Sequence, residues 1–400
     1  MKNKLELYGT LGPADCSKAI LKEMFSAGMT GIRLNLSHTN LRDCESWLQN
    51  LYEVSEELHI VPDLLVDLQG PELRIGMLKE SLLLEEGSFV RLTPAETDMT
   101  TPSIPIPDLL FPHLKKGQTI RLDDGKILLE IADTGEMVAS VVTGGTLTSR
   151  KSVAIDDLSL ELPTLTTQDL HNLDELAKYR VTGVMLPFVR NKNDLLCLKE
   201  ELLKRKLTRI RIFAKIENQT GLDQLPELIP HCDQIVIARG DLGNAVPLPE
   251  LPGVQKKIAL LCQRTKTPFM VVTQMLASME EHPTPTRAEV SDIFNAVLDG
   301  ASSLMLTGET AIGKYPVEAM QILSDTAFEG LRYKNLFNSG SYTKPAAASF
   351  FSSSSRLRRL AGWAAISPAA RLANTRLSSR ELLARRFFPW TPLQAVSPTA

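Results

Sequence analysis

The chain has 400 residues, 44 Lys and Arg against 47 Asp and Glu, a formal charge of −3, 43% apolar and 23% charged residues, which suits one large α/β domain with an insertion. No uncharged apolar run reaches the ~18 to 20 residues of a membrane-spanning helix, and MKNKLELYGT lacks the apolar core of a signal peptide, so a cytoplasmic location is expected. Cys16, Cys44, Cys197, Cys232 and Cys262 form no CxxC pair, which argues for reduced thiols over a zinc site or a disulfide framework.

Short β-branched or leucine-rich runs alternate with longer amphipathic stretches over residues 4 to 330, the pattern of a parallel α/β protein. The predicted strands are KLELYGT, TGIRLNL, PDLLVDL, GVMLPF, RIRIFAKI, DQIVIAR, PFMVVT and SSLMLTG, and eight is the number that closes a parallel barrel. Helices are predicted near residues 16 to 27, 40 to 59, 167 to 179, 192 to 205, 219 to 229, 252 to 265, 287 to 299 and 315 to 329. In the seventh, Val290, Ile293, Phe294, Val297 and Leu298 fall on one face by their spacing.

Between Arg74 and Ala154 the rhythm changes to short strands with turn signals such as DDG and TGG, and no helix is predicted. These residues read as an all-β domain inserted after the third strand. The barrel then occupies residues 1–73 and 155–335, with the insertion at 74–154 placed as a lid over the rim where barrel enzymes keep their active sites. Residues 336–400 are rich in Ser, Ala and Arg and read as a disordered basic tail. From residue 340 onward nine basic residues face one acidic residue, a local charge of +8 that leaves −11 for the rest and argues against nucleic acid as the partner of the body.

The residues that could do chemistry sit where predicted strands end. Lys215 and Glu217 leave the fifth strand on the same side, because side chains alternate along a strand. They are either a structural ion pair or, with Asp241 one strand over, part of a site for Mg²⁺ and a phosphorylated substrate. Gly240 lets a backbone N–H approach an anion, and Thr273 brings a hydroxyl that serves the site or only a nearby carbonyl. Thr307-Gly308-Glu309-Thr310 ends the eighth strand and reads as a helix cap. On the other side of the rim lie Arg33, Asn35, Ser37 and His38 after the second strand, and Asp67 through Arg74 after the third. Arg33 and Arg74 suit multidentate phosphate recognition, while Asn35, Ser37 and Asp67 are oxygen donors for a monovalent cation.

TLGPA, GIRLNLSH, VDLQGPELR, AKIEN, ARGDLG, VVTQML, PTPTRAEVSDIFNAVLDG and LTGETAIGKYP, in this order, closely resemble the pyruvate kinase family from about Leu5 to Glu329. The resemblance implies a TIM (β/α)₈ barrel with a β-barrel lid, and a cytoplasmic glycolytic phosphotransferase that moves the phosphoryl group of phosphoenolpyruvate to ADP. It implies Mg²⁺ (or Mn²⁺) on Glu217 and Asp241, and K⁺ on Asn35, Ser37, Asp67 and the Leu68 carbonyl. Lys215 would stabilise the transferring group. Arg33, Gly240, Asp241 and Thr273 would contact phosphoenolpyruvate, with Thr273 acting through a water. Arg74, Lys151 and the stretch Asn35 to His38 would hold the nucleotide. Glu72 matches the position where an acid accompanies K⁺ dependence.

The chain also departs from the family pattern. Leu68-Gln69 replaces Thr-Lys, Pro187 replaces a serine, Ser152-Val153-Ala154 replaces Gly-Val-Asn, Ile312 replaces a lysine, and nothing after residue 340 resembles the α/β domain that usually follows the barrel. A homologue without turnover that acts as a binding or regulatory protein, and a Mg²⁺-dependent aldolase or lyase using a pyruvate enolate, stay open as alternatives. The expected partners are phosphoenolpyruvate or pyruvate, ADP or ATP and a second copy of the chain through barrel contacts, with neither nucleic acid nor membrane.

Overall fold

The computed structural model describes residues 5–37, 39–71, 73–94, 103–123, 125–155 and 162–338. His38, Glu72 and the tail from residue 339 lie outside the described residues. The first half of the barrel is β1 (Glu6–Leu11), α1 (Lys18–Ser26), β2 (Gly31–Asn35), α2 (Glu45–Glu57) and β3 (Asp63–Asp67). Eight strands of insertion follow: β4 (Leu82–Leu84), β5 (Phe89–Pro94), β6 (Ser103–Ile106), β7 (Thr119–Leu122), β8 (Ile127–Asp133), β9 (Val138–Thr143), β10 (Gly145–Leu147) and β11 (Val153–Ile155). The barrel resumes with α3 (Thr167–Glu175), β12 (Gly183–Leu186), α4 (Lys192–Lys204), β13 (Arg211–Ile216), α5 (Gln219–Asp223), α6 (Leu225–Leu228) and β14 (Gln234–Ala238). It ends with α7 (Arg239–Ala245), α8 (Leu251–Thr265), β15 (Phe269–Val272), α9 (Arg287–Leu298), β16 (Ser303–Met305), α10 (Gly308–Ala311) and α11 (Pro316–Asn338).

The closed barrel runs β1-β16-β15-β14-β13-β12-β3-β2, every pair parallel. Its strands are buried on both faces, which is why they read as nearly continuous apolar runs. One set of alternating residues, including Tyr8, Leu65, Met185, Phe213, Val236, Met270 and Met305, fills the barrel interior. The other set packs outward against the helices, in one core with Leu48, Leu198, Ile258 and Ile293. Helix starts follow the local sequence: Ser17, Thr166, Asn191, Asn218 and Thr286 accept backbone N–H groups as N-caps, with reciprocal capping boxes at Thr166–Asp169 and Thr286–Glu289.

Within the insertion, β11-β7-β8-β9-β5-β6 form one sheet and β10-β4 a second, around a separate core that includes Ile104, Ile120, Leu122, Leu129 and Ile131. Arg74 and Ser152 pair in an isolated antiparallel bridge, so the outgoing and returning chains meet at the root of the insertion.

Several local expectations need correction. A 3₁₀ turn over Asp108–His113 interrupts the predicted run of strands. The helix expected at 219 to 229 is broken into α5, α6 and a 3₁₀ turn, because Pro226 and Pro230 lack the N–H that continues a helix. The last helix runs to Asn338, and Gly330 lets it approach α9 so closely that an added Cβ would sit 3.1 Å from Val297. On α9 the buried residues are Ile293, Ala296 and Val297, while Phe294 is half-buried and meets Tyr333 with ring centroids 5.5 Å apart. Among the described residues no helix is long and apolar enough to cross a membrane.

Candidate active site at the barrel rim

The C-terminal ends of β1, β2, β3 and β13 place polar side chains in the top layer of the barrel interior. Thr10 is the register partner of Arg33, and Asn35 is that of Asp67, so these residues point inward together. Arg33 donates from Nε and Nη2 to Asp67 Oδ2 at 3.0 and 2.6 Å, and from Nη1 to Thr10 Oγ1 at 3.3 Å. The Lys215 ammonium lies 3.1 Å from the same Asp67 oxygen and 2.8 Å from Glu217 Oε1. Glu217 Oε2 accepts the Phe188 N–H at 2.7 Å, just past the end of β12. Arginine, aspartate, lysine and glutamate thus form one alternating row of charge, and the Lys215 and Asp67 side chains are only 13% and 2% exposed.

This burial decides the electrostatics. For Lys215 desolvation works against the charge, but Asp67 and Glu217 outweigh it and raise the pKa well above that of an ordinary lysine. For Asp67 desolvation is again opposed, here by Lys215 and Arg33, and the carboxyl is held below its usual range. For Glu217 desolvation wins: it pushes the carboxyl above the usual range against the pull of Lys215, and Asp241 and Asp67 add to the rise. Asp241 on α7 is therefore close enough for its charge to act on both Lys215 and Glu217.

Buried Asp67 Oδ1 has no hydrogen-bond partner among the described residues, and buried Glu217 Oε1 is met by the Lys215 ammonium. Such oxygens are costly unless a cation or donor completes them. Two carboxylates, Glu217 just past β13 and Asp241 on α7 just past β14, match a hard divalent ion that takes its remaining oxygens from substrate and water. The described residues contain no group of three His, Cys, Asp or Glu side chains able to hold a metal. Asp67 Oδ1, across the register from Asn35, likewise suits a second, monovalent cation.

Gly240, at the start of α7, meets Thr273, just past the end of β15. The Gly240 N–H donates to Thr273 Oγ1 at 2.8 Å, and the Thr273 hydroxyl donates to the Val272 carbonyl at 2.6 Å. Thr273 and Gln274 are both left-handed, with φ of 69° and 53°. The Arg239 guanidinium holds that turn from below, bonding the Thr273 carbonyl at 2.8 Å while paired with Asp292 of α9. Asn35 Oδ1 accepts the Ser37 N–H at 3.2 Å, and the Leu68 N–H donates to Met185.

Arg74 and Lys151 belong to the root of the insertion. Arg74 Nη1 donates to the Arg150 carbonyl at 2.8 Å, and Lys151 Nζ pairs with Asp123 at 2.7 Å. Arg33, Asp67, Lys215 and Glu217 are therefore in direct contact, Gly240 and Thr273 form a second pair, and Arg74 and Lys151 bond within the insertion. Thr10, the Phe188 N–H, Arg239 and Asp169 were missed by sequence reasoning. Only Asp169 had a local signal, since Thr166-Thr167-Gln168-Asp169 has capping-box spacing.

A family model described as the barrel domain of pyruvate kinase matches residues 2–320. The chain is 36% identical over 347 residues to a pyruvate kinase of Bacillus licheniformis, covering 84% of this chain and 59% of that protein. It is 37% identical over 337 residues to the pyruvate kinase of Thermotoga maritima, covering 83% of this chain and 72% of the relative. To pyruvate kinase 2 of Synechocystis sp. it is 34% identical over 408 residues, covering all of this chain and 68% of the relative. It thus spans well under two thirds of the Bacillus protein and about two thirds of the Synechocystis one.

Proposed function

Because the chain belongs to the pyruvate kinase family, we propose that it moves the phosphoryl group of phosphoenolpyruvate to ADP, giving pyruvate and ATP as a step of glycolysis. The observation that carries this reading is the buried Lys215 ammonium, seated between Asp67 and Glu217 at the barrel rim. A fixed cation in a site sheltered from water stabilises charge that develops on a transferring phosphoryl group and on the enolate oxygen it leaves.

In this reading Glu217 and Asp241 hold Mg²⁺ or Mn²⁺, which when bound supplies positive charge against the phosphate oxygens. Asn35, Ser37, Asp67 and the Leu68 carbonyl hold K⁺. Arg33 binds the phosphate of the substrate with its fork of N–H donors, and Thr10 keeps that fork aimed into the barrel. Gly240 has no side chain to block an approaching anion, and an added Cβ would lie 3.7 Å from Thr273. The Thr273 hydroxyl already gives its proton to Val272, so it orders a water that protonates the enolate and is not itself the acid. Arg74, Lys151 and the stretch from Asn35 to His38 would hold the nucleotide in this reading.

Lys215→Met tests the central residue. Turnover of phosphoenolpyruvate with ADP is expected to fall about 10³-fold, the scale of losing one preorganised electrostatic group. Mn²⁺ binding, followed by electron paramagnetic resonance, should stay within a few-fold because both carboxylates remain. Near-normal turnover in this variant would remove Lys215 from the chemistry.

A further inference from the structure

The rim at β3 is held by a residue that touches neither the substrate site nor the row of charges. Asp169, at the third position of α3, is fully buried. Its Oδ1 accepts the Gln69 N–H at 2.8 Å. Its Oδ2 accepts the Gly70 N–H at 3.1 Å, and the Thr166 N–H and hydroxyl at 2.8 Å each. Gln69 and Gly70 leave β3 toward the insertion, and Thr166 lies where the chain has come back from it. One carboxylate therefore joins the outgoing and returning chains, with every partner a donor, as a buried charge requires.

The contacts continue from there to the metal-binding side. Gly70 is left-handed, with φ of 63°, and an added Cβ would sit 2.5 Å from Pro187 Cγ. Pro187 is followed by Phe188, also left-handed with φ of 51°, whose N–H donates to Glu217. On the other side, the residues just before Gln69 are Asp67 and Leu68, which present a carboxylate and a carbonyl to the rim.

We propose that Asp169 is a positioning residue that clasps both roots of the insertion and thereby sets the Asp67–Gly70 segment and, through Gly70, Pro187 and Phe188, the carboxylate of Glu217. Its expected effect on turnover rests on the pyruvate kinase reading above; its effect on the backbone does not. Loss of the clasp loosens the cation-binding oxygens before it touches Lys215 or Arg33.

The test uses Asp169→Asn and Asp169→Ala in the full chain, with amide hydrogen exchange and steady-state kinetics on the same preparations. Exchange at Gln69 and Gly70 should rise about tenfold in Asp169→Asn and further in Asp169→Ala, while amides of β13 and β14 keep their protection. The K⁺ and Mg²⁺ concentrations for half-maximal turnover should rise about tenfold, with kcat at saturating cation changed only a few-fold and the asparagine variant intermediate. If Asp169→Ala does not fold, Thr166→Val weakens the hold on the returning chain alone, by removing the hydroxyl and leaving the N–H. It should raise exchange at the start of α3 and leave Gln69 protected. Unchanged exchange at Gln69 and Gly70 in the Asp169 variants, unchanged exchange at the start of α3 in Thr166→Val, or a uniform loss across the barrel strands in any of them would overturn the proposal. A wild-type protein without turnover would sink the kinase reading and leave the exchange result to decide the clasp.

Discussion

Asp194 accepts the Thr164 hydroxyl at 2.6 Å, the Arg190 N–H at 2.9 Å and the Arg190 guanidinium at 3.1 and 2.9 Å. Burial opposes its charge, but these donors hold its carboxyl below the usual range. A depressed folded pKa contributes stability that is complete above the unfolded value of about 4 and is lost as the pH falls through the folded value. Asp194→Asn should therefore cost about 2 kcal/mol in urea unfolding at pH 7, and the cost should shrink progressively as the pH is lowered below about 4. A cost that does not shrink with acid would contradict this. Cys262 offers a second residue-level check: burial alone pushes its thiol up to about 12. In the folded protein at pH 8 it should alkylate at least ~100-fold more slowly than in urea, because the thiolate is the reactive form. At this scale the sequence was informative where alternation is strict, as for Lys215 and Glu217, whose shared side follows from their spacing. It named Thr273 but was silent on the left-handed backbone there and at Phe188, since neither residue type signals it; the Thr273 carbonyl is bonded by Arg239, and Phe188 follows the Pro187 that packs against Gly70.

Among the elements, the short helix α5 that follows β13 packs tightly against the exit of β12. Asn218 caps α5 by accepting the Gly221 N–H at 2.7 Å and donates to the Val189 carbonyl at 3.3 Å. A Cβ on Gly221 would collide with that same Val189 carbonyl, which is backbone and cannot swing away. Gly221→Ala should therefore cost about 1 to 3 kcal/mol in unfolding, and it should reduce turnover because Glu217 is four residues before the clash. A fully active, equally stable variant would show that the exits of β12 and β13 are freer than this packing implies. Barrel strands were legible because a parallel strand buried on both faces is an unbroken apolar run. The break between α5 and α6 was legible in principle from Pro226, whereas the extension of α11 depends on a fit between Gly330 and Val297 that spacing along one helix cannot reveal.

Across the described molecule, the barrel and the insertion have separate apolar cores, and the chains joining them run side by side through the Arg74–Ser152 bridge. Independent cores imply independent folding units. Replacing residues 75–151 with a short Gly-Ser linker should leave a barrel that unfolds in one cooperative transition. That barrel should still bind phosphoenolpyruvate, but transfer to ADP should fall steeply because Lys151 is gone. Loss of the cooperative transition would show instead that the barrel needs its insertion to fold. The alternation of strands and helices announced the architecture, but the clasp of Asp169 on Gln69 spans 100 positions and leaves no mark on either segment. Contacts of that kind are set by the closed fold, and only the fold discloses them. The most direct measurement is pyruvate formation from phosphoenolpyruvate and ADP by purified protein, with Mg²⁺ and K⁺ each present or withheld, beside Glu217→Ala. Pyruvate is expected only with both cations, with a loss of about 10³-fold in the variant. Folded protein that forms no pyruvate, or a Glu217→Ala variant that forms it at the wild-type rate, would contradict the kinase reading.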